Sequence, residues 1–134
     1  MVEVSPDRFR LLTELCLTAI AEGRLAQAEP VAEALAAARP GDEATLIVRI
    51  LLDVCRQNPQ QAIRTAEEGL RLHPDSERLG VFRALALMAG GYTSQAETVL
   101  RPLASGTSDS TTAALARALL QQDTRENSDR KDGS

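Results

Sequence analysis

The chain has 134 residues, a formal net charge of −4 and a hydrophobic fraction of 43%. These values are typical of one soluble globular domain and exclude a chain that is disordered throughout. The only aromatic residues are Phe9, Phe82 and Tyr92, and the basic residues form no cluster. Because nucleic acids are bound through stacked aromatic side chains and basic patches, we expect no nucleic-acid partner.

The sequence carries no signal for export or for membrane insertion. It does not open on a basic segment followed by an apolar one, and it has no run of about 18 apolar residues. Cys16 and Cys55 both lie in apolar stretches, where we expect them to be small buried core residues in a reducing compartment. We therefore expect a cytoplasmic protein that does not bind membranes.

Capping and turn residues divide the chain into seven predicted helices. Ser5 followed by Pro6 begins the first, because serine caps free N–H groups and proline loses nothing at the first helical position. Asp42 caps the third helix, and Asp75 or Ser76 caps the fifth. The predicted helices are about 6–21, 25–39, 43–54, 59–72, 77–88, 93–104 and 110–122. Residues 123–134 have mixed charge and no apolar side chain, which predicts a disordered tail.

Small residues and loop residues recur every 34 positions. The alanines at this spacing are Ala28, Ala62 and Ala96, and five residues before each lies a loop position, which is Gly23, Gln57 or Gly91. A period of 34 with small residues at close contacts is typical of tetratricopeptide (TPR) repeats, in which helical hairpins stack on one another. We predict an all-α, right-handed TPR-like array over 5–122, with repeats at about 9–42, 43–76 and 77–110 and a capping helix at 110–122.

An apolar groove is expected on the concave side of such an array. The first helix of each TPR hairpin lines that side, with inward residues spaced by three, four and three. The three rows are Arg10, Thr13, Leu17 and Ile20, then Ala44, Ile47, Leu51 and Val54, then Arg78, Val81, Leu85 and Met88. The last helix adds Leu115 and Leu119. The predicted partner-binding residues are Leu17, Ile20, Ile47, Leu51, Val54, Val81, Leu85 and Met88.

The chemistry of this groove indicates an amphipathic helix as its ligand. Soluble monomers rarely expose so large an apolar surface. Burying eight such side chains gives a gross gain above roughly 10 kcal/mol before the costs of association. A helix laid in the groove would cover it. Two alternatives remain open at this point, namely that a second copy covers the groove or that these residues are ordinary core.

Other common functions find no support in the residues. A carboxylate clamp needs lysine, arginine and asparagine along the concave face, and aliphatic residues stand there instead. His73 is the single histidine and precedes a proline, so we expect a solvated turn residue and no histidine-based triad or metal cluster. The chain has no glycine-rich phosphate loop. We expect neither an enzyme nor a cofactor.

Two stretches carry a more specific resemblance. Residues 26–52 read AQAEPVAEALAAARPGDEATLIVRILL, an alanine-rich helix followed by a Gly-Asp-Glu-Ala turn and a Leu-Ile-x-Arg-Ile pattern. Residues 81–106 read VFRALALMAGGYTSQAETVLRPLASG, an aliphatic helix, a glycine turn and a second helix. In this order they resemble the YscG/PscG-type chaperones of type III secretion needle subunits. The large aromatic residues usual in TPR repeats are replaced by aliphatic ones.

The resemblance implies a partner and a purpose. Such chaperones are cytoplasmic three-repeat proteins whose concave face holds the amphipathic C-terminal helix of the needle subunit and prevents its premature polymerisation. A small helical co-chaperone binds alongside. Carried onto this chain, the needle helix would contact Leu17, Ile47, Leu51, Val54, Val81, Leu85 and Met88. The alternative hypothesis is a TPR adaptor that joins parts of a larger complex, through homodimerisation or through both of its faces.

Overall fold

A computed structural model describes residues 4–105 and 110–132, except for the side chains of 110 and 126–132. Within these residues the chain forms seven α-helices and no strand, which confirms the all-α class. The helices are α1 (Pro6–Ala21), α2 (Leu25–Ala38), α3 (Glu43–Cys55), α4 (Pro59–Leu72), α5 (Glu77–Ala89), α6 (Thr93–Ser105) and α7 (Ser110–Asp132).

Three of the helices begin at the predicted side-chain caps. The Ser5 hydroxyl accepts a hydrogen bond from the Arg8 N–H at 3.2 Å, and the Asp42 carboxylate accepts one from the Ala44 N–H at 2.9 Å. At α5 the cap is Ser76, whose hydroxyl accepts from the Leu79 N–H at 3.1 Å. Each cap satisfies an N–H group that the first helical turn leaves without a backbone acceptor.

The 34-residue period of the sequence is also a period of the backbone. The odd-numbered helices α1, α3 and α5 end at Ala21, Cys55 and Ala89. The helices that follow them begin at Leu25, Pro59 and Thr93. In each connecting loop one residue has a positive φ, and these are Gly23 at 76°, Gln57 at 60° and Gly91 at 87°. The same left-handed turn therefore joins the two helices of every pair.

The helices pack in two layers. Consecutive helices contact each other within the pairs α1–α2, α3–α4 and α5–α6, and α7 packs on both α6 and α5. The odd helices also contact one another in order, α1 with α3 and α3 with α5. Among the described residues, the backbones of α2, α4 and α6 do not approach one another closely. The odd helices thus form one continuous layer, and each even helix packs on the two odd helices that precede and follow it in the chain.

Small and aliphatic residues form the core between the layers. Ala28, Ala62 and Ala96 are at most 1% exposed, so the recurring alanines lie where helices approach closely. Two clusters of buried residues divide the interior, one formed by α1, α2 and α3 and one formed by α3 to α7, and Leu51 packs against both. One cysteine prediction was wrong. Cys16 is buried, and burial raises the pKa of its thiol, but Cys55 is exposed because it lies in the last turn of α3.

The C-terminal helix continues past its predicted end near 122. Asp123 is only 3% exposed, and α7 extends to Asp132. A helix that is already nucleated extends at little cost through residues of ordinary helix propensity, even when none of them is apolar. Residues 106–109, which hold the predicted loop before this helix, lie outside the described part of the chain.

His73 is not the solvated turn residue that the sequence predicts. Its side chain is half-buried, and the ring Nε2 lies 2.7 Å from the Gly41 carbonyl oxygen. Arg39 makes a similar link one unit earlier, donating to the Val4 carbonyl oxygen at 3.2 Å while its guanidinium lies 4.4 Å from the centre of the Phe9 ring. These contacts connect the α2–α3 loop and the α4–α5 loop to the chain before them.

Gln57 provides a test of the repeated turn. A residue with a Cβ atom pays about 1–2 kcal/mol to adopt the left-handed backbone conformation. Replacing it with glycine recovers only part of this energy, because glycine loses more conformational entropy on folding. We expect Gln57→Gly to raise the free energy of unfolding by about 0.5–1 kcal/mol, measured by urea denaturation. Gly23→Ala and Gly91→Ala are the matched controls, because a Cβ at either site meets no atom within 4 Å. Each control should lose about 1 kcal/mol. A Gln57→Gly variant that is no more stable than the unchanged chain would contradict the prediction.

Candidate functional site

The two sides of α3 differ sharply in chemistry. Arg49, Asp53 and Arg56 face a cavity that Glu29 of α2 and Gln61 of α4 also line. Because successive residues of a helix are 100° apart, Ile47, Leu51 and Val54 lie on the roughly opposite side. The apolar residues predicted on α3 therefore point away from the polar cavity, and their burial decides which of them are accessible.

The predicted groove residues divide into two groups by burial. Ile20, Ile47 and Val81 are 8%, 2% and 1% exposed and belong to the two buried clusters. These three side chains therefore contribute to the interior of the chain itself. The remaining five are half-buried and accessible, and we call them the odd-helix face. They are Leu17, Leu51, Val54, Leu85 and Met88.

The odd-helix face contains one row in strict register. Leu17, Leu51 and Leu85 are 34 residues apart and come from three helices that contact one another in order. Leu17 and Leu51 also pack against buried clusters, whereas Leu85 packs against neither cluster among the described residues. Leu85 is thus the position where a substitution changes the surface with the least effect on the core.

A small cavity with apolar and polar lining residues lies toward α7. It has a volume of about 200 Å³ and lies between α5 and α7, where its lining includes Val81, Phe82 and Leu115. Leu115 is 39% exposed, and the predicted neighbour Leu119 is half-buried. α7 therefore extends the apolar surface that α5 begins.

Charged residues lie at one end of the odd-helix layer, as the sequence rows predict. Arg10 is exposed, and Arg78 donates to Glu43 at 3.4 Å with its own side chain 57% exposed. Such an exposed ion pair contributes at most about 1 kcal/mol. Thr13 and Ala44 at the same end are half-buried. The apolar part of the surface thus has a polar rim that contains two arginines, one of them paired with Glu43.

The opposite cavity is polar and has a volume of about 260 Å³. Arg56 forms ion pairs with Glu29 and, at 3.9 Å, with Asp53. Burial raises the pKa of the Asp53 carboxyl, and the positive charge of Arg49 partly opposes that rise. Among the described residues no three histidine, cysteine or acidic side chains are placed to hold a metal ion.

Sequence reasoning missed the outer surface of α1. Leu11 and Leu15 are 56% and 53% exposed, more than any residue of the predicted groove. The 34-residue period could not reveal this, because it assigns Leu11 the same repeat position as Thr45 and Leu79, which are both fully buried. Only the packing distinguishes the first unit from those that follow it.

Two further observations bear on function. None of the described helices combines the length and the apolar character that crossing a bilayer requires. Comparison of the chain with models of protein families, with curated proteins and with solved structures found no match.

Proposed function

We propose that this protein is a TPR-like helix-binding chaperone whose concave surface is the odd-helix face. The observation that carries the proposal is the register of Leu17, Leu51 and Leu85, three half-buried leucines on three adjoining helices. An amphipathic helix laid across α1, α3 and α5 would place apolar side chains about two turns apart against this row, because two turns rise roughly 11 Å and packed helices lie about 8–10 Å apart. The left-handed turn repeated every 34 residues supports the TPR-like architecture.

The specific ligand that we propose is the amphipathic helix of a self-assembling subunit, of the kind that type III secretion needle chaperones hold. Two features support it, the resemblance of 26–52 and 81–106 to that family and the aliphatic rather than charged character of the odd-helix face. Because the buried Ile20, Ile47 and Val81 contribute to the core, the contact surface is smaller than eight side chains. A small helical co-chaperone would enlarge it, and a cytoplasmic location follows from the same proposal.

A second candidate is a structural adaptor that uses both faces of the array. The observation that favours it is the charged cavity formed by Glu29, Asp53 and Arg56 on the side of the even helices. Partner residues of either charge could pair there. Under this hypothesis, substitutions on the odd-helix face leave part of the assembly intact.

Leu85→Arg tests the proposed binding surface. The tagged chain is co-expressed with the open reading frames that neighbour its gene, and the complex is isolated by affinity purification and gel filtration. We expect Leu85→Arg to weaken retention of the co-expressed subunit roughly 100-fold or more, because the helix would bury an unpaired charge. Leu72→Arg is the matched control, since Leu72 is 57% exposed at the end of α4, away from the odd-helix face.

The two hypotheses predict different outcomes of this experiment. Loss of the subunit with Leu85→Arg and its retention with Leu72→Arg support the chaperone. If the Leu85→Arg variant retains the subunit but a Glu29→Ala and Arg56→Ala double variant loses it, the result supports the adaptor hypothesis and contradicts the chaperone hypothesis. Circular dichroism of each purified variant establishes that the fold is retained.

A further inference from the structure

Five exposed residues form a line along the outer surface of α1. They are Arg8, Leu11, Leu15, Thr18 and Glu22, which we call the α1 seam. Their spacing of three and four places them on one side of the helix, as in the contact line of a coiled coil. Among the described residues α1 packs only on α2 and α3, and neither helix covers this side.

The residues at the Leu11 position of the other two helical pairs are buried by neighbouring helices. Thr45 and Leu79, which are the equivalents of Leu11 in the next two units, are fully buried. Leu79 lies against α4 at Gly69, where a Cβ would come to 3.2 Å and 3.4 Å from its two methyl groups. In the second and third units the Leu11 position of the odd helix is therefore covered, and at Leu79 the preceding pair covers it. In the first unit two leucines more than half exposed occupy the same side.

The charges at the two ends of the seam complement each other. Arg8 lies in the first turn of α1 and Glu22 is its C-cap, each two turns from Leu15. Within α1 both charges oppose the helix dipole, which favours acids at the start and bases at the end. In an antiparallel pair of α1 helices with the two-fold axis beside Leu15, each charge instead lies next to the end of the other copy's helix dipole that attracts it. Arg8 then lies opposite Glu22 of the second copy, at the negative end of that copy's helix, and the contact occurs twice.

Neither charge is strongly engaged within the chain. Among the described residues no acidic group pairs with the Arg8 guanidinium. Glu22 pairs with Arg24 at 3.4 Å, but both side chains are more than half exposed. An exposed pair of this kind contributes little and exchanges readily.

We propose that the α1 seam binds the same seam of a second copy, forming an antiparallel, symmetric homodimer. Two leucines from each copy fill the centre, and the reciprocal Arg8–Glu22 pairs flank it. A contact four helical turns long is well below the roughly 800 Å² per partner of a stable interface, so the dimer is weak and depends on concentration. It uses a different surface from the odd-helix face and leaves that face free.

The first test is the mass of the protein in solution as a function of concentration. In sedimentation equilibrium from low to high micromolar protein, we expect the average mass to rise from 14.4 kDa toward twice that value. Leu15→Asp should raise the dissociation constant at least tenfold, whereas Leu72→Asp, at an equally exposed leucine of α4, should leave it unchanged. Leu85→Arg should also leave it unchanged, which separates this dimer from one formed through the odd-helix face.

The second test is charge reversal. Arg8→Glu and Glu22→Arg should each raise the dissociation constant, because each places two like charges opposite each other. The double variant should restore the original dissociation constant, because the residues at positions 8 and 22 of the two copies again have opposite charges. Each reversal matches the dipole of α1, so neither should unfold the chain. The proposal is overturned if the protein stays monomeric throughout, if Leu15→Asp has no more effect than Leu72→Asp, or if the double reversal fails to restore association.

Discussion

Leu79→Ala is expected to lower the free energy of unfolding by about 2–5 kcal/mol, measured by urea denaturation. Leu79 is fully buried at the junction of α4 and α5, where the absence of a side chain at Gly69 lets the two helices approach. Removing the isobutyl group leaves a cavity between units that the neighbouring side chains cannot fill. Because α4 and α5 contact each other extensively and α5 also packs on α3, α6 and α7, this one junction affects the stability of the whole domain.

The control for this prediction occupies the same position in the repeat. Leu11→Ala, 68 residues earlier and 56% exposed, should change the free energy of unfolding by less than about 0.5 kcal/mol at low micromolar protein. Equal losses at Leu79 and Leu11 would contradict the packing described for α1 and α5. The comparison isolates burial, because the residue type, the repeat position and the substitution are the same.

Ala62→Leu should also be strongly destabilising, by about 1–3 kcal/mol or more. Ala62 lies in the central helical pair and is fully buried, with 0% of its surface accessible to solvent. A leucine there forces α3 and α4 apart, and the displacement reaches α5 through the contacts of α4. Calorimetry would record the loss as a fall of several degrees in Tm.

Two further alanines make this prediction specific. Ala34→Leu, on the exposed side of α2, should change stability by less than about 0.5 kcal/mol, since alanine and leucine have similar helix propensity. Ala96→Leu, one repeat later and 1% exposed, should repeat the loss seen at Ala62. If Ala96→Leu were harmless, the recurring alanines would not be equivalent packing positions.

These core substitutions also bear on the proposed binding surface. Leu51 contacts both buried clusters, so the position of the odd-helix face depends on the packing between units. A variant such as Ala62→Leu that separates α3 from α4 would be expected to weaken helix binding without altering any contact residue. Leu85→Arg changes the surface alone, which is why it is the sharper probe of function.

The helices, their caps and the 34-residue period could be predicted from the sequence because each depends on nearby residues. Ser5 and Asp42 cap helices through N–H groups two or three residues away. A glycine in a short loop favours a left-handed turn locally, as at Gly23 and Gly91, and a recurring alanine marks a close helix contact. Such features need no knowledge of what lies across the fold.

Which aliphatic side chains stay accessible was decided only by the tertiary structure. Ile47 and Leu51 lie on the same side of α3, yet one is 2% exposed and the other is half-buried, because neighbouring helices cover the two positions unequally. Leu11 and Leu79 share a repeat position, but only Leu79 has a preceding helix packed on it among the described residues. Helical spacing assigns a residue to a side of its own helix, whereas burial depends on whether another element covers that side.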